Sequence, residues 1–171
     1  MKLFYTTSLI AIMSLTTFAQ GIDFGVSAGY INSTSKISGN NTVDITSDAV
    51  SGFYAGLLAE ISLIGIIKVQ PELLYANVDD TSFIQVPLMV KVYPIPKVYI
   101  QAGPQFTYIL EDVLDDFSKL NTGAAIGAGV DIAFGLFAQA RYVFQLNNNY
   151  TGPADINLRA NSLQAGIGYK F

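Results

Sequence analysis

Four carboxylates within six residues form the densest group of chemically capable side chains in this sequence. They are Glu111, Asp112, Asp115 and Asp116, in the stretch EDVLDDF at 111–117. Carboxylate oxygens are the ligands that Ca²⁺ and Mg²⁺ prefer, but an EF-hand loop needs acids at alternate positions and a glycine, and both are missing here. We therefore predict a solvated acidic loop, and weak divalent-cation binding is the alternative. We predict no specific metal site and no cofactor.

Two residue types that dominate enzyme chemistry are missing altogether, because the sequence contains no His and no Cys. Their absence removes the usual general base, the commonest transition-metal ligand, thiol catalysis and disulfides. A serine nucleophile would still need an adjacent base, and none is evident. We therefore predict that the protein is not an enzyme, against the alternative of a lipase, acyltransferase or protease built on a membrane scaffold.

Eight charged residues share one property, which is that each lies on the polar side of a stretch where apolar and polar residues alternate. They are Asp23, Glu60, Lys68, Glu72, Lys91, Asp131, Arg141 and Lys170, four of each sign. Isolated charges in an enclosed interior are very costly, whereas matched pairs can be tolerated. If the polar sides converge on one interior, these residues are predicted to form a neutral ion-pair network.

The elements that position these charges are β-strands, because the alternation has period two. Eight such runs begin at positions 22, 53, 67, 84, 98, 124, 136 and 163. The links are long at 32–52, 77–82, 110–121 and 147–160, and short at 62–66, 94–97 and 132–135. This pattern predicts an all-β, eight-stranded antiparallel up-and-down transmembrane β-barrel. The link at 32–52 is either a flexible loop or a continuation of both flanking strands above the membrane.

The volumes of the two strand faces decide which of them points outward. One face holds mostly Ile, Val, Leu, Phe and Tyr and no charge, while the other carries the charges and many glycines. The interior of an eight-stranded barrel is only wide enough for side chains to fill. The bulky face is therefore predicted to contact lipid around a closed polar lumen. A soluble barrel with its apolar face inside is the alternative.

The N-terminus has the pattern of an export signal. Lys2 precedes an apolar stretch that reaches Phe18, and the small residue Ala19 suits a cleavage site. We predict a signal peptide at 1–19 and a barrel domain at 20–171, with an uncleaved membrane anchor as the alternative. At the C-terminus, SLQAGIGYKF alternates to its last residue, because the last strand must pair with the first to remove the barrel's free edges.

Three stretches carry a family resemblance: QPELLY at 70–75, QVPLMVKVY at 85–93 and YIQAGPQFTYIL at 99–110. With the signal peptide and the terminal Phe, they resemble the outer-membrane β-barrel domain family of Bacteroidota, often labelled porin-family or PorT-like, whose architecture is similar to OmpA and OmpX. The resemblance implies an integral protein of the bacterial cell outer membrane. It also implies that Tyr169 and Phe171 form the signal presented to the barrel assembly machinery, unless Phe171 simply ends a packed strand.

The predicted partners follow from the placement of charge. In the long links, acids outnumber bases nine to three. The acids are Asp44, Asp48, Asp79, Asp80, Glu111, Asp112, Asp115, Asp116 and Asp155, and the bases are Lys36, Lys119 and Arg159. We expect contacts with outer-membrane lipid and lipopolysaccharide and a protein partner through the extracellular loops, but no nucleic acid, since no basic stripe exists. The predicted function is structural, adhesive or complex-forming, and the alternative is a narrow porin-like channel for small solutes.

Overall fold

The computed structural model describes residues 21–39, 42–46, 48–111, 118–148 and 156–171. Nine strands account for most of them: β1 (Ile22–Gly39), β2 (Thr42–Thr46), β3 (Val50–Ile64), β4 (Ile67–Val78), β5 (Thr81–Ile95), β6 (Val98–Ile109), β7 (Leu120–Asp131), β8 (Leu136–Gln145) and β9 (Ile156–Lys170). No helix in these ranges is long and apolar enough to cross a membrane. The predicted signal peptide at 1–19 lies outside them.

The strands form one closed antiparallel sheet. From β3 to β9 each strand pairs with the next, β1 pairs with β3, and β9 returns to pair with β1. That closing seam runs from Gly25 opposite Lys170 to Gly39 opposite Ile156. The short β2 pairs only with the far end of β1, so eight strands make the barrel wall. The predicted eight-stranded up-and-down barrel is confirmed, and the seam explains why the alternation reaches the C-terminus.

The apolar face of every wall strand points outward. Along β8, Tyr142 and Phe144 are exposed on the outside, whereas Phe137 and Arg141, at alternate positions on the other face, are buried in the lumen. An outer surface of large exposed apolar side chains is stable against lipid and unfavourable against water. The orientation of the two faces agrees with the predicted transmembrane barrel and excludes the soluble alternative with its apolar face inside.

The connection between β4 and β5 differs from the prediction. A long link was expected at 77–82, but the strands meet through a two-residue turn at Asp79 and Asp80, whose φ angles are 47° and 63°. Positive φ at both central residues characterises the type I′ turn, whose twist matches that of the flanking strands, and Asp tolerates this conformation. Two adjacent acids therefore mark a tight hairpin here rather than an acidic loop.

The link predicted at 32–52 is largely continued strand. The pairing of β1 with β3 ends at Ser33 opposite Val50, but β1 continues to Gly39 between β9 and β2. We call residues 34–39, 42–46 and 156–161 the extension, and the barrel end from which it rises the loop end. The opposite end, with connections at 65–66, 96–97 and 132–135, is the short-turn end. Of the two alternatives for this link, the structure has the continued strands.

Glycines on the inner face make room for aromatic rings. A Cβ added at Gly166 would lie 2.3 Å from the Tyr54 hydroxyl, and one at Gly129 would lie 2.3 Å from Cζ of Tyr99. Both rings are almost completely buried. The rings lie close against the wall, which lets an eight-stranded barrel enclose large side chains.

Substituting Gly129 with Val should therefore destabilise the barrel by about 1–3 kcal/mol, because the new side chain would displace the Tyr99 ring in a filled lumen. The measurement is the urea midpoint of the protein refolded in lipid vesicles. Ala128→Val is the matched control, since Ala128 is the preceding residue on β7 and faces outward. Equal midpoints for the two variants would show that the lumen can accommodate the added volume.

Candidate functional site

The lumen at the short-turn end is organised around the Glu60 carboxylate. Oε1 accepts from the Lys68 ammonium at 2.7 Å and from the Lys170 ammonium at 3.0 Å, while Oε2 accepts from Lys91 at 2.9 Å. Lys170 also donates to Oδ1 of Asp131 at 3.0 Å. We call these five residues the Glu60 cluster. It joins five strands of the wall, since its members lie on β3, β4, β5, β7 and β9.

The strand register explains why this carboxylate is needed. Lys68 on β4 lies directly opposite Lys91 on β5, and like charges at facing positions destabilise a sheet. Glu60 contacts both ammonium groups with different oxygens, so it converts a repulsive pair into a bridged one. Lys91 is fully buried, and its Nζ also lies 4.1 Å from the centroid of the Tyr99 ring, a cation–π contact.

A second charged group crosses the middle of the lumen. The Arg141 guanidinium donates to both oxygens of Glu72, with Nη1–Oε1 at 3.0 Å and Nη2–Oε2 at 2.9 Å. Its Nε donates to Gln164 at 2.7 Å, and Gln164 in turn donates to Gln85 at 3.2 Å. Gln70 donates to Glu72 at 2.7 Å. This bidentate geometry is the strong form of the arginine–carboxylate pair, and its hydrogen bonds link β4, β5, β8 and β9.

Seven of the eight charged residues predicted to share the lumen are therefore in ion-pair contact, in two separate groups. The exception is Asp23, which lies opposite Glu60 in the β1–β3 register but is exposed. It forms no ion pair with any residue in the described ranges. The contacting groups comprise four cations and three anions, so the neutral balance that was expected would need Asp23.

The other predicted site residues lie at the two barrel ends. Tyr169 and Phe171 are exposed at the short-turn end, where the Phe171 amide donates to the Phe24 carbonyl at 2.9 Å. At the loop end, both carboxylate oxygens of Glu111 accept from the Ser82 amide at 2.9 Å, so this acid secures the end of β5. Asp112, Asp115 and Asp116 lie outside the described residues. Where the structure describes the chain, no group of three acids could hold a metal ion.

Sequence reasoning missed the main filling of the lumen, which is glutamine. Seven glutamines are buried: Gln70, Gln85, Gln101, Gln105, Gln139, Gln145 and Gln164. A usable signal was present, because each lies on the polar side of its strand. Three almost completely buried aromatics, Tyr54, Tyr99 and Phe137, were also missed, although they too lie on the polar side of their strands.

Taken together, these side chains fill the lumen from the short-turn end to its middle. The largest fully buried side chains include Arg141, Tyr54, Tyr99, Lys91 and Phe137. Above them, towards the loop end, lies a cavity of about 310 Å³. The arrangement can stabilise a closed barrel and can hold a small molecule above the filled part.

Comparison with known proteins gives one family match and several distant structural likenesses. The family model for the outer membrane protein beta-barrel domain matches residues 6–171. Neisserial surface protein A is 18% identical with a TM-score of 0.49, over 89% of this chain and 100% of that one. Ail, the attachment invasion locus protein of Yersinia pestis, is 15% identical with a TM-score of 0.47, over 90% and 100%.

OprG from Pseudomonas aeruginosa is 15% identical with a TM-score of 0.45, over 88% of this chain and 96% of that one. Among curated proteins, none matches the sequence significantly. At these TM-scores the structural likenesses carry no functional argument, so the family match and the side chains themselves must support any assignment.

Proposed function

The chain belongs to the outer membrane protein β-barrel domain family and is an integral protein of the bacterial outer membrane; on this premise we propose that it is a closed, non-enzymatic barrel that presents its loop end to a protein partner outside the cell. The absence of His and Cys supports a role without catalysis. The narrower likeness to the PorT-like barrels of Bacteroidota stays a prediction.

The observation that carries the proposal is the filled middle of the lumen. A pore needs a continuous aqueous path, and an eight-stranded barrel has room only for side chains. Here the Arg141–Glu72 pair crosses that space, and the rings of Tyr54 and Tyr99 occupy the room beside it. Because the filled middle leaves no path for a solute, the function is expected at the ends of the barrel.

The extension supplies a surface for a partner. From Lys36 to Gly39 the central strand β1 is paired on both sides, with β9 and with β2. The outer side of β2 has no strand partner in the described sheet, because β4 has ended at Val78 opposite Gly52. A strand edge with unpaired backbone groups is a template for an incoming strand.

Charge at the loop end favours a basic partner. Asp48, Asp79, Asp80 and Glu111 are exposed there, and Arg159 is an exposed base. Such an acidic rim would attract a basic protein, or would share divalent cations with lipopolysaccharide. In this orientation the short turns face the periplasm. Tyr169 and Phe171 would then be recognised by the assembly machinery after removal of residues 1–19.

The closed lumen predicts that the purified protein does not conduct. In planar bilayers with potassium chloride we expect no conductance steps above the leak of the bare membrane, because no water-filled path crosses the ion-paired middle. A porin inserted under the same conditions is the control for detection. Stable unitary steps from the wild-type protein would favour the porin-like alternative.

The partner is tested by cross-linking in native outer membranes, followed by affinity purification and mass spectrometry. We expect a stoichiometric partner that is lost when residues 36–46 are replaced by an Asn-Gly turn. The double variant Asp79→Asn/Asp80→Asn should reduce recovery without changing the fold, since Asn also suits the type I′ turn. Recovery of the protein alone, or equal recovery from the trimmed variant, would contradict the proposal.

A further inference from the structure

The cavity at the loop end has no part in the proposed binding of a protein partner, and what it could bind is a separate question. We call it the cup, a hollow of about 310 Å³ enclosed by the upper parts of the barrel wall. Its size lies near the lower end of small-molecule sites, which measure about 300–1,000 Å³. Of the described residues that line it, Asp79 alone is charged, and that residue belongs to the rim turn.

The two walls of the cup differ in chemistry. The wall made by β1, β3, β4 and β5 presents Ile31, Val50, Val78 and Phe83, which belong to or pack against one apolar cluster. The wall made by β6 to β9 presents uncharged polar groups. They include Gln105, Thr107, Asn121, Gln145 and Ser162. The first wall also presents the polar residues Ser33, Ser35, Thr81 and Gln85, and the second wall also presents Ile109, Val143 and Ala160. The cup is therefore amphipathic, with its largest apolar cluster on one wall and most of its amides on the other.

The polar wall contains two acceptors that the protein does not satisfy. Oε1 of Gln105 and Oδ1 of Asn121 are buried and have no hydrogen-bond partner in the described part of the chain. Gln105 is only 2% exposed. Nearly all buried polar groups in proteins are hydrogen-bonded, and each exception is costly to stability, so two neighbouring exceptions in one cavity need an explanation.

The strand register brings these two acceptors together. Asn121 on β7 faces Thr107 on β6, and the next inward position pairs Gln105 with Gly123. The two amides are therefore diagonal neighbours on the inner surface. Gly123 has no side chain to cover the wall between Gln105 and Gln145, its facing residues on the two sides. The space beside Gly123 and the two acceptors without hydrogen-bond partners therefore lie in the same part of the cup.

We propose that the cup binds a small uncharged molecule that has an apolar face and a hydroxyl or amide N–H edge. The donor edge would complete the hydrogen bonds of Gln105 and Asn121, and the apolar face would lie against Phe83 and its neighbours. A cation is disfavoured because, among the described residues, no carboxylate lies beside these two amides in the cup. A plain acyl chain is disfavoured because it offers no donor. This inference is independent of the proposed binding of a protein partner at the loop end.

Three matched probes test the ligand chemistry by fluorine NMR with the full chain in lipid nanodiscs. They are para-fluorobenzyl alcohol, with a ring and a hydroxyl donor; para-fluorotoluene, with the ring alone; and para-fluorobenzylamine, which is cationic at neutral pH. Empty nanodiscs correct for partitioning into lipid. We expect saturable binding of the alcohol. The toluene should bind about fivefold more weakly, the usual effect of losing one neutral hydrogen bond. The amine should also bind more weakly than the alcohol, because the desolvation of its charge is not compensated by a carboxylate among the described residues beside the two amides.

Variants locate the binding. Gln105→Leu and Asn121→Leu should each weaken alcohol binding by about fivefold and leave toluene binding unchanged. Gln101→Leu is the matched control, because Gln101 lies lower on the same strand, is equally buried and also has an unpaired Oε1, yet does not line the cup. The removed acceptors have no partner that would be left unsatisfied, and Gln101 loses only a long hydrogen bond of 3.5 Å to Gln139, so all three variants should fold. A heat-dependent shift in gel mobility checks that they do.

Three results would overturn the proposal. Equal binding of the alcohol and the toluene, unaffected by the two cup variants, would show an apolar hollow without a donor requirement. Tightest binding of the amine would show a cation site. No saturable binding of the alcohol would show that the two acceptors are satisfied without a ligand.

Discussion

Substituting Glu60 with Gln is expected to lower the free energy of unfolding by about 3–5 kcal/mol, because removing one partner of a buried ion pair leaves the other charge uncompensated. The charge left uncompensated is that of Lys91, which is fully buried and has its ammonium 2.9 Å from Glu60. The substitution also restores the facing repulsion between Lys68 and Lys91. Urea unfolding of the protein in lipid vesicles measures the change.

The matched control for this variant is Asp23→Asn. Asp23 lies opposite Glu60 in the same strand pair, so both substitutions neutralise one acid at the same level of the wall. Because Asp23 is exposed and unpaired among the described residues, its substitution should leave the midpoint unchanged. Similar losses from the two variants would mean that the loss reflects net charge at the short-turn end rather than the buried contacts.

The second large effect is expected for Arg141→Ala, again about 3–5 kcal/mol by urea unfolding. This substitution leaves the Glu72 carboxylate buried, and among the described residues the Gln70 amide is its one remaining hydrogen-bond partner. It also removes the Nε donor that holds Gln164 at 2.7 Å. Arg159→Ala is the control, since Arg159 is the other arginine and is exposed on β9.

A double variant separates the charge effect from the loss of packing. Glu72→Gln/Arg141→Met removes both charges and keeps most of the volume, and replacement of a buried pair by uncharged groups is often nearly neutral. The double variant should therefore be more stable than Arg141→Ala alone. An unchanged midpoint for Arg141→Ala itself would refute a stabilising role for the pair.

The barrel could be predicted because its main determinant is local. Period-two alternation sets the outward face of each strand one residue at a time, so the positions of Tyr142 and Arg141 on opposite faces of β8 follow from the sequence alone. The same pattern identified the eight charges on the polar side. In the structure seven of them form ion pairs inside the wall, in two separate groups.

The features that the sequence did not predict depend on the position of a residue along the barrel axis and on the pairing register of the strands. The alternation of apolar and polar residues encodes neither. Asp23 and Glu60 both lie on the polar side, yet one is exposed and the other is buried. Asp79 and Asp80 could be recognised as a hairpin only from the backbone conformation they adopt, and their charge suggested a loop instead. The unpaired acceptors of Gln105 and Asn121 arise from three strands meeting at Gly123, a juxtaposition that no single stretch of sequence contains.

The β1–β9 seam has a kinetic consequence. Six of the pairings in the wall join strands that are adjacent in the chain between β3 and β9, and these can form as local hairpins. The seam instead joins Gly25 to Lys170, so its closure must bring together two strands at opposite ends of the barrel sequence. Contacts this distant in sequence form late.

Until that step, Lys170 cannot reach Glu60, so the Glu60 cluster lacks one of its three cations. The unclosed sheet would also expose two bare strand edges, which are sites of aggregation. The chain is therefore expected to be most vulnerable in the interval between hairpin formation and the arrival of β9, and insertion into the membrane must protect it through that interval.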